Sequence, residues 1–344
     1  MTMKLITFEN AQGEIRLGAL QRDDETKVID LLAGATDLGL SKDALDCLSS
    51  MLDLIESGKA GLDFANEIVS QASKYPPRSW SAISSTSIQW RCPLIDPPQL
   101  RDCLMFEEHL KNAFGMLRKT LAAQSDDPDA ALKDFEARGL YAVPEVWYKV
   151  PVYYKVNRFS FIGHEQDIIW PEYSEKMDFE LEFACVLNRR LKDVTVEEAK
   201  QCIFGYTIYN DVSARDVQSI EMQAQLGPSK GKDFDTGNIL GPCIVTADEV
   251  DPQDMDMIAR INGKELCRGN SGSSYWTFPE VIAHASRSET LVAGELIGSG
   301  TVGWGCGLEH GQFLDPGDVI ELEVKGIGTL RNRIVRENKQ HLKI

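Results

Sequence analysis

Hydrophobic and polar residues alternate in two different ways along the chain, and the change divides it into two parts. Up to residue 35 the alternation is that of short strands. Helical stripes follow over 41–58 and 62–73, and Ser41 is suited to cap the first of them. These patterns predict a mixed α/β region at the N-terminus.

A proline-rich stretch that ends near Pro98 separates this region from the rest of the chain. We therefore predict two domains, a small N-terminal α/β domain over 1–97 and a larger domain over 98–344. The larger domain opens with a helical pattern over 104–123. The polar stretch 123–143 is interpreted as a surface insertion with its own short helix, and it is a candidate lid.

From residue 146 onward, strand-like alternation dominates, and glycine, proline and asparagine-glycine turn signals interrupt it. The predicted strands are 147–154, 179–188, 203–210, 242–247, 257–262, 295–301 and 318–325. Helical patterns separate some of them, at 195–203, 213–222 and 278–286. This arrangement predicts a β-rich α+β fold rather than a regular series of βαβ units.

Composition narrows the choice of partner and compartment. The 344 residues carry a formal net charge of −17, which argues against nucleic acid and anionic membranes as partners. The 8 cysteines include no Cys-x-x-Cys pair, which favours a reducing, cytoplasmic location over a zinc cluster or a disulfide framework. We also expect no membrane span and no signal peptide, because no apolar run is long enough for either.

The most informative local feature is an acidic row at the start of a predicted strand. Asp178, Glu180 and Glu182 occupy alternate positions, so they point to one face with about 7 Å between successive residues. Ala184 and Val186 continue that face, which places the acidic row against an interior. Like charges on a partly buried face repel one another and lose hydration. A bound cation is the simplest way to keep them there.

A second acidic segment lies at the end of another predicted strand. Asp211 follows the strand directly, at a position where side chains commonly face a site. Ser213 and Asp216 have the spacing of a capping box, which predicts the start of a helix. Arg215 and Gln218 would then share one face of that helix.

The third segment is a short stretch in which Asp102 precedes His109 by 7 residues. A site built from carboxylates selects a hard cation, so the expected ion is Mg²⁺, with Ca²⁺ or Mn²⁺ as alternatives, rather than Zn²⁺. Glu-x-Glu pairs also occur on solvated strand faces. The metal interpretation therefore depends on the apolar continuation of the first segment and on the acidic strand end in the second.

Four ordered motifs, DFELEF, GYTIYNDVSARDVQ, KGKDFDTGNILGP and GTLRNRI, resemble those of the fumarylacetoacetate hydrolase family. The resemblance covers roughly residues 98–335. It implies a mixed β-roll catalytic domain, usually a homodimer, that binds Mg²⁺ or Ca²⁺ and acts on β-dicarbonyl acids such as those of aromatic catabolism.

The resemblance also implies roles for individual residues. The metal ligands it implies are Asp102, Glu180, Glu182 and Asp211. The catalytic residues it implies are His109, Glu309 and Lys232. The substrate contacts it implies are Arg215, Gln218, Tyr154 and Thr301.

These roles predict a hydrolase that cleaves a C–C bond in a 1,3-diketo acid of the fumarylacetoacetate or acylpyruvate type. The substrate would chelate the cation, His109 would take a proton from water, and Glu309 would orient the imidazole. Lys232 would stabilise developing negative charge, and Arg215 would clamp a substrate carboxylate. Two alternatives stay open: an isomerase, decarboxylase or hydratase of a 2-oxo dicarboxylic acid on the same scaffold, and a non-catalytic dicarboxylate-binding protein.

Two further features have competing interpretations. His310, next to Glu309, is a rival base. Residues 298–303 fit the dinucleotide fingerprint GxGxxG, but the residues that follow are poor helix formers. We interpret this stretch as a backbone turn that passes close to the substrate, or as a simple tight turn.

Overall fold

The computed structural model describes residues 3–75 and 77–336. Residues 1, 2, 76 and 337–344 lie outside the described residues. They belong to the outer ends of the two predicted domains and to one position of the predicted linker.

The strands begin and end as follows: β1 Lys4–Glu9, β2 Ile15–Gln21, β3 Asp24–Asp30, β4 Ile83–Ser84, β5 Gln89–Trp90, β6 Leu100–Cys103, β7 Tyr153–Lys155, β8 Phe161–Ile162, β9 Ile168–Ile169, β10 Met177–Asp178, β11 Leu181–Leu187, β12 Ile203–Asp211, β13 Ser213–Ala214, β14 Asn238–Thr246, β15 Asp256–Ile261, β16 Lys264–Asn270, β17 Leu296–Gly298, β18 Val319–Val324 and β19 Gly328–Val335.

The α-helices are α1 Leu31–Asp37, α2 Lys42–Cys47, α3 Met51–Ser57, α4 Lys59–Lys74, α5 Glu107–Ala122, α6 Pro128–Ala137, α7 Val196–Lys200, α8 Arg215–Glu221, α9 Phe278–Ala285 and α10 Gly307–His310. Short 3₁₀ helices lie at Glu145–Tyr148, Met222–Ala224 and Ser271–Ser273. Within residues 3–75 and 77–336, no helix is both long enough and apolar enough to cross a membrane.

Two large sheets carry the fold. The main sheet has the order β4-β3-β2-β1-β14-β12-β11-β17-β6-β7, and β5 and β8 pair with β1 and β14. The second sheet has the order β16-β15-β18-β19-β9. Most neighbouring strands of both sheets are antiparallel, so the β-rich α+β class predicted from the sequence is confirmed. Because β1 pairs with β14, the N-terminal strands extend the main sheet, and the boundary near residue 98 stays a prediction.

Strand β11 separates two hydrophobic cores, because every residue over Leu181–Leu187 is buried. Phe183 and Cys185 belong to the core that β11 shares with α9 and the second sheet. Ala184 and Val186 belong to the other core, which α3 and α4 cover. The prediction that Ala184 and Val186 face the interior is therefore confirmed, and α3 and α4 contribute to the core on that face.

The helical stripe predicted over 41–58 is divided into two helices. Ser41 caps α2 as predicted, because its side chain accepts a hydrogen bond from Ala44 N. Ser50 then caps α3 by accepting from Asp53 N. The chain therefore turns between these helices, and the apolar stripe continues across the turn.

The capping box predicted at Ser213 is wrong. Ser213 lies in the short strand β13, and α8 starts at Arg215 with no side-chain cap from any residue in 77–336. Asp216 instead accepts a hydrogen bond from Ser174 Oγ at 2.6 Å. Its carboxylate therefore ties the first turn of α8 to another loop.

The strand predicted over 147–154 is also only partly correct. Its first residues form a 3₁₀ helix over Glu145–Tyr148, and the strand β7 begins at Tyr153. Pro151 lies between them and has no N–H to donate to a neighbouring strand, so pairing starts after it.

Candidate active site

Neighbouring strands of the main sheet bring three carboxylates together. Asp102 lies on β6, Glu182 on β11 and Asp211 at the end of β12. Strands β12 and β11 are neighbours, and β17 lies between β11 and β6. Gly298 of β17 is the register partner of Asp102. A Cβ atom at Gly298 would lie 2.5 Å from Asp102 Oδ1, so only glycine leaves room for this carboxylate.

Asp102, Glu182 and Asp211, which together form the carboxylate group of the site, lie close together and away from water. One oxygen each from Asp102, Glu182 and Asp211 lies within 4.8 Å of the others. The side chains belong to residues that are only 6%, 1% and 0% exposed. Asp102 Oδ1 and Asp211 Oδ1 are buried and have no hydrogen-bond partner among the described residues.

The electrostatics of this group favour a bound cation. Burial, and then the charge of Asp211, raise the pKa of Asp102 well above its ordinary value. Burial, and then the charge of Asp102, do the same for the pKa of Glu182. Three carboxylates, two of them with an oxygen that has no hydrogen-bond partner in the described chain, match the ligand preference of Mg²⁺, Ca²⁺ and Mn²⁺. The residues present therefore fit a hard divalent cation, whose identity the protein atoms leave open.

Glu182 and Asp211 are also held by neighbouring donors. Gly300 N and Thr301 Oγ1 donate to the two oxygens of Glu182, at 3.0 Å and 3.3 Å. Tyr154 Oη donates to Asp211 Oδ2 at 2.7 Å. Tyr154 and Thr301, which were predicted as substrate contacts, thus lie at the carboxylate group and orient it.

Glu180 has a different environment from the other acidic residues of the site. Its two oxygens accept from Arg215 at 2.8 Å and from Lys232 at 2.5 Å. Burial alone would raise the pKa of Glu180, but Arg215 and Lys232 together hold it below its ordinary value. Lys232 Nζ also donates to Asp211 Oδ2 at 2.6 Å, so it joins Glu180 to the carboxylate group. That Glu180 is a metal ligand stays a prediction.

Arg215 lies deep in the site and contacts three protein groups. It donates to Asp178 Oδ2 at 2.8 Å, to Glu180 Oε1 at 2.8 Å and to Gln218 Oε1 at 2.9 Å. Asp178 also accepts from Gly307 N at 2.7 Å. Asp178 is thus paired with an arginine, in contrast to Glu182.

Helix α5 places His109 beside Glu309, which lies on α10. The distance from His109 Nδ1 to Glu309 Oε2 is 3.1 Å, and both residues are buried. The N–H direction is not aligned with Oε2, so Nδ1 has no hydrogen-bond partner of good geometry in the described part of the chain. Such catalytic contacts often become aligned only when the substrate binds.

Two further groups hold Glu309 in place. Its Oε1 accepts from Asn112 Nδ2 at 3.0 Å and from Trp304 N at 2.9 Å. Burial opposes ionisation, but the contacts with His109 and these donors hold the pKa of Glu309 below its ordinary value. Glu309 is therefore a charged, fixed partner for the imidazole.

The comparison with protein families decides the identity of the scaffold. The family model described as "Fumarylacetoacetate (FAA) hydrolase C-terminal" matches residues 131–335. The chain belongs to the fumarylacetoacetate hydrolase family. The resemblance inferred from the sequence motifs is thereby confirmed.

Two relatives are each similar to about half of the chain. An uncharacterised protein of Archaeoglobus fulgidus is 35% identical over 190 residues, which are 55% of this chain and 71% of that protein. The mitochondrial oxaloacetate tautomerase FAHD2A of Homo sapiens is 32% identical over 189 residues, 54% of this chain and 60% of that protein.

Solved structures show the same fold over nearly the whole chain. A fumarylacetoacetate hydrolase from Exiguobacterium antarcticum has a TM-score of 0.67 at 24% identity, covering 97% of this chain and 100% of that one. Maleylpyruvate hydrolase from Sphingobium sp. SYK-6 has a TM-score of 0.68 at 19% identity, with the same coverage. A 5-carboxymethyl-2-hydroxymuconate delta-isomerase from Mycobacterium smegmatis has a TM-score of 0.65 at 21% identity, again with that coverage. At these identities the three solved structures show the shared fold, and the reactions for which they are named differ from one another.

The structure also bears on His310 and on the GxGxxG stretch, the two sequence features with competing interpretations. His310 is half-buried, and its Nε2 lies 2.9 Å from Trp304 O, so it contacts backbone rather than a carboxylate of the site. After the GxGxxG stretch 298–303, the next helix begins only at Gly307. The helix that a dinucleotide fingerprint requires directly after its turn is not formed by residues 301–306.

Sequence reasoning missed Asn112, Trp304 and Cys306, which contact Glu309. Asn112 follows His109 by one helical turn, so its position on the same face could have been inferred from the spacing. Trp304 contributes through its backbone N–H and Cys306 through its thiol, at a Sγ to Oε2 distance of 3.3 Å. Neither contact leaves a signal in residue type.

Proposed function

We propose that this protein is a metal-dependent hydrolase that cleaves a C–C bond in a 1,3-diketo acid of the fumarylacetoacetate or acylpyruvate type. The observation that carries this proposal is the buried approach of His109 Nδ1 to Glu309 Oε2, at 3.1 Å. The charge of His109 also acts on Glu180, and Lys232 joins Glu180 to Asp211. A histidine held by a carboxylate is the arrangement that activates water. Isomerisation or tautomerisation needs no attacking water.

Asp102, Glu182 and Asp211 would hold the cation, with Glu180 as a further ligand after its contact with Lys232 is exchanged. When bound, Mg²⁺, Ca²⁺ or Mn²⁺ polarises the chelated dicarbonyl and stabilises the negative charge that forms as the C–C bond breaks. The protein side chains would then supply the proton transfers and the remaining charge stabilisation.

In the proposed reaction, His109 takes a proton from water through its Nε2 atom, while Glu309 stabilises the charged imidazole. The water oxygen bonds to a substrate carbonyl carbon, the adjacent C–C bond breaks, and the proton that His109 took from water is returned to the carbon that leaves as an enolate. Lys232, buried between Glu180 and Asp211, supplies positive charge next to the reacting oxygens.

Arg215 and Gln218 would contact the far end of the substrate. A guanidinium has five N–H donors, and the contacts with Asp178, Glu180 and Gln218 use three of them. One N–H on each terminal nitrogen of Arg215 therefore remains for a substrate carboxylate. This supports the proposed clamp without loss of the existing contacts.

The test is a spectrophotometric panel of fumarylacetoacetate and acylpyruvates, with Mg²⁺ or with EDTA, together with product analysis. We expect Mg²⁺-dependent cleavage by the wild type. In His109→Asn and Glu309→Gln, turnover should fall by roughly 10²–10⁴, the range for loss of a general base. Mg²⁺-loaded wild type that cleaves no member of the panel would overturn the proposal.

A second candidate is an isomerase or tautomerase, or a decarboxylase or hydratase, of a 2-oxo dicarboxylic acid. It is supported by the relative named oxaloacetate tautomerase, which is 32% identical over 189 residues. Oxaloacetate separates the two candidates: the second predicts rapid interconversion or loss of oxaloacetate that persists in His109→Asn. A dicarboxylate-binding protein without activity predicts that Glu182→Ala changes no turnover at all.

We also propose that the protein is a cytoplasmic homodimer whose partner molecule is a small diketo acid, with no nucleic-acid or membrane partner. All 8 cysteines are free thiols in the structure, which agrees with a reducing compartment. Light scattering of the purified protein tests the dimer. A mass equal to one chain would contradict it.

A further inference from the structure

Three different donor atoms meet beneath helix α5, on the opposite side of Glu309 from Asn112. They are His109 Nδ1, Cys306 Sγ and Glu309 Oε2, and all lie within 4.8 Å of one another. Oε2 is 3.1 Å from Nδ1 and 3.3 Å from Sγ. The three residues are 7%, 0% and 3% exposed, so the cluster is closed to bulk water.

The donor types separate this cluster from the carboxylate group of Asp102, Glu182 and Asp211. The carboxylate group offers oxygen only, whereas this cluster offers nitrogen, sulfur and oxygen, which suit Zn²⁺ and similar cations. The two groups share no residue. Neither cation would therefore take a ligand from the other.

Two of the three spacings between the donor atoms are close to those around a tetrahedral ion, and the third, from Nδ1 to Sγ, is at most 4.8 Å. Zinc bonds of about 2.3 Å to sulfur and about 2.0–2.2 Å to nitrogen and oxygen place tetrahedral ligands roughly 3.4–3.6 Å apart. The two distances from Glu309 Oε2, 3.1 Å and 3.3 Å, need to lengthen by only a few tenths of an ångström. His109 Nδ1 has no aligned hydrogen bond in the described chain, so it is available to an ion.

We propose that His109, Cys306 and Glu309 form a second metal site, which takes Zn²⁺ or another thiophilic divalent cation and switches the enzyme off when it is filled. Binding would release the thiol proton of Cys306 and any proton on His109 Nδ1 to solvent, since metal ligands must be deprotonated. An imidazole bound through Nδ1 is less basic and is no longer paired with Glu309. The inhibitory effect rests on the proposed function, in which His109 activates water, but the binding does not.

Binding is tested with Co²⁺ as a spectroscopic probe in protein saturated with Mg²⁺, so that the carboxylate group is already filled. We expect one Co²⁺ per chain and a sulfur-to-cobalt charge-transfer band in the near ultraviolet. The band should disappear in Cys306→Ser and persist in Cys47→Ser, which removes the half-buried cysteine of α2 as a control for accessible thiols. In His109→Asn, the Co²⁺ affinity should fall at least about tenfold.

Wild-type protein without the band, or a Cys306→Ser variant that keeps it, would overturn the site. If Cys306→Ser does not fold by circular dichroism, His109→Asn decides, and unchanged Co²⁺ affinity there would also overturn the site. Zn²⁺ titration of turnover tests the switch, with each variant compared to its own Zn²⁺-free rate. Zn²⁺ should inhibit the wild type and Cys47→Ser but not Cys306→Ser, and equal inhibition of all three would contradict the switch.

The two proposals fail in different ways. If the wild type cleaves no diketo acid, the proposed function fails, and the cobalt band still reports on the second site. If the wild type cleaves a diketo acid and shows no cobalt band, only the second site fails.

Discussion

Two groups of buried acidic residues lie side by side in this protein, and they differ in how their charge is neutralised. In one group, Asp178 and Glu180 are paired with Arg215, and Glu180 is also paired with Lys232. In the other group, Asp102 and Glu182 face each other and Asp211, and Lys232 pairs with Asp211 but with neither of the other two. Both groups are equally buried.

The pKa values separate Glu180 from the second group, although burial raises the pKa of Asp178 despite its pairing with Arg215. Against the effect of burial, Arg215 and Lys232 hold the pKa of Glu180 below its ordinary value. Burial and carboxylate neighbours raise the pKa values of Asp102 and Glu182 well above theirs. Acidic residues are thus not sufficient to indicate a metal site. The informative signal is a group of buried carboxylates whose charge the protein's own cations compensate only in part, as Lys232 does here at Asp211.

The largest expected effect separates the groups by function. Glu182→Gln should lower turnover of the diketo acid by about 10³-fold or more, because loss of the cation removes several kcal/mol of stabilisation of the reacting oxygens. Isothermal titration should show weakened Mg²⁺ binding in the same variant. Glu265→Gln, at an exposed position on β16, is the control and should bind Mg²⁺ like the wild type. Unaltered Mg²⁺ affinity in Glu182→Gln would contradict the assignment.

The next effect is on the stability of the metal-free protein, which should respond differently to a substitution in each of the two acidic groups. Asp178→Asn breaks a buried ion pair with Arg215, so the free energy of unfolding should fall by about 3–5 kcal/mol. Glu182→Gln removes repulsion between buried carboxylates, so the free energy of unfolding should stay equal or rise. Urea denaturation in EDTA measures both. Equal destabilisation by the two variants would show that the groups do not differ as described.

A smaller effect concerns the support of Glu309 by Asn112. Asn112→Ala removes a hydrogen bond to a charged carboxylate, which is worth about 1.5–3 kcal/mol, so kcat should fall roughly 10–100-fold. KM and Mg²⁺ affinity should change little, since Asn112 contacts neither the carboxylate group nor its strands. Thr120→Ala, farther along α5 at an exposed position, is the matched control. A rise in KM with unchanged kcat would contradict a positioning role.

The smallest effect is a pH dependence of stability in the metal-free protein. Carboxyl groups whose pKa is raised on folding stabilise the fold below their unfolded pKa, and this stabilisation is lost as the pH rises through the folded pKa. For Asp102 and Glu182, whose ordinary values are 3.8 and 4.5, the loss begins near these values and continues upward. Bound Mg²⁺ would offset the repulsion between the ionised carboxylates of Asp102 and Glu182. The gain in Tm from saturating Mg²⁺ should therefore grow by a few degrees between about pH 5 and about pH 8.

Thermal unfolding across this pH range measures the effect, and Glu182→Gln provides the comparison. Its Mg²⁺-dependent gain in Tm should be small at every pH. A wild-type gain that is independent of pH would mean that Asp102 and Glu182 do not share a strained, uncompensated charge.

Much of the fold could be predicted from the sequence because its signals are local. The apolar run after Glu182 predicted a buried strand, and β11 is that strand. The spacing of Asp102 and His109 predicted two parts of one site, and the structure places Asp102 at the carboxylate group and His109 on the helix above. The cap at Ser41 was likewise local and correct.

Other features could not be predicted because they depend on an interruption or on distant residues. Alternation predicted that Asp178, Glu180 and Glu182 form one row, but β10 ends at Asp178 and β11 begins only at Leu181. The break between these strands turns the first two acids toward Arg215. The pairing of Glu309 with Asn112 joins residues that lie 197 positions apart, which no local pattern shows.

The central claim is that a divalent cation binds where the charge of buried carboxylates is compensated only in part by the protein's own cations. A crystal structure of protein soaked in Mn²⁺, with anomalous scattering measured for manganese, tests it most directly. The account predicts one strong anomalous peak with an oxygen each of Asp102, Glu182 and Asp211 at bonding distance, about 2.2 Å. Density with no peak among these three carboxylates, or with manganese bound only at surface residues, would contradict it.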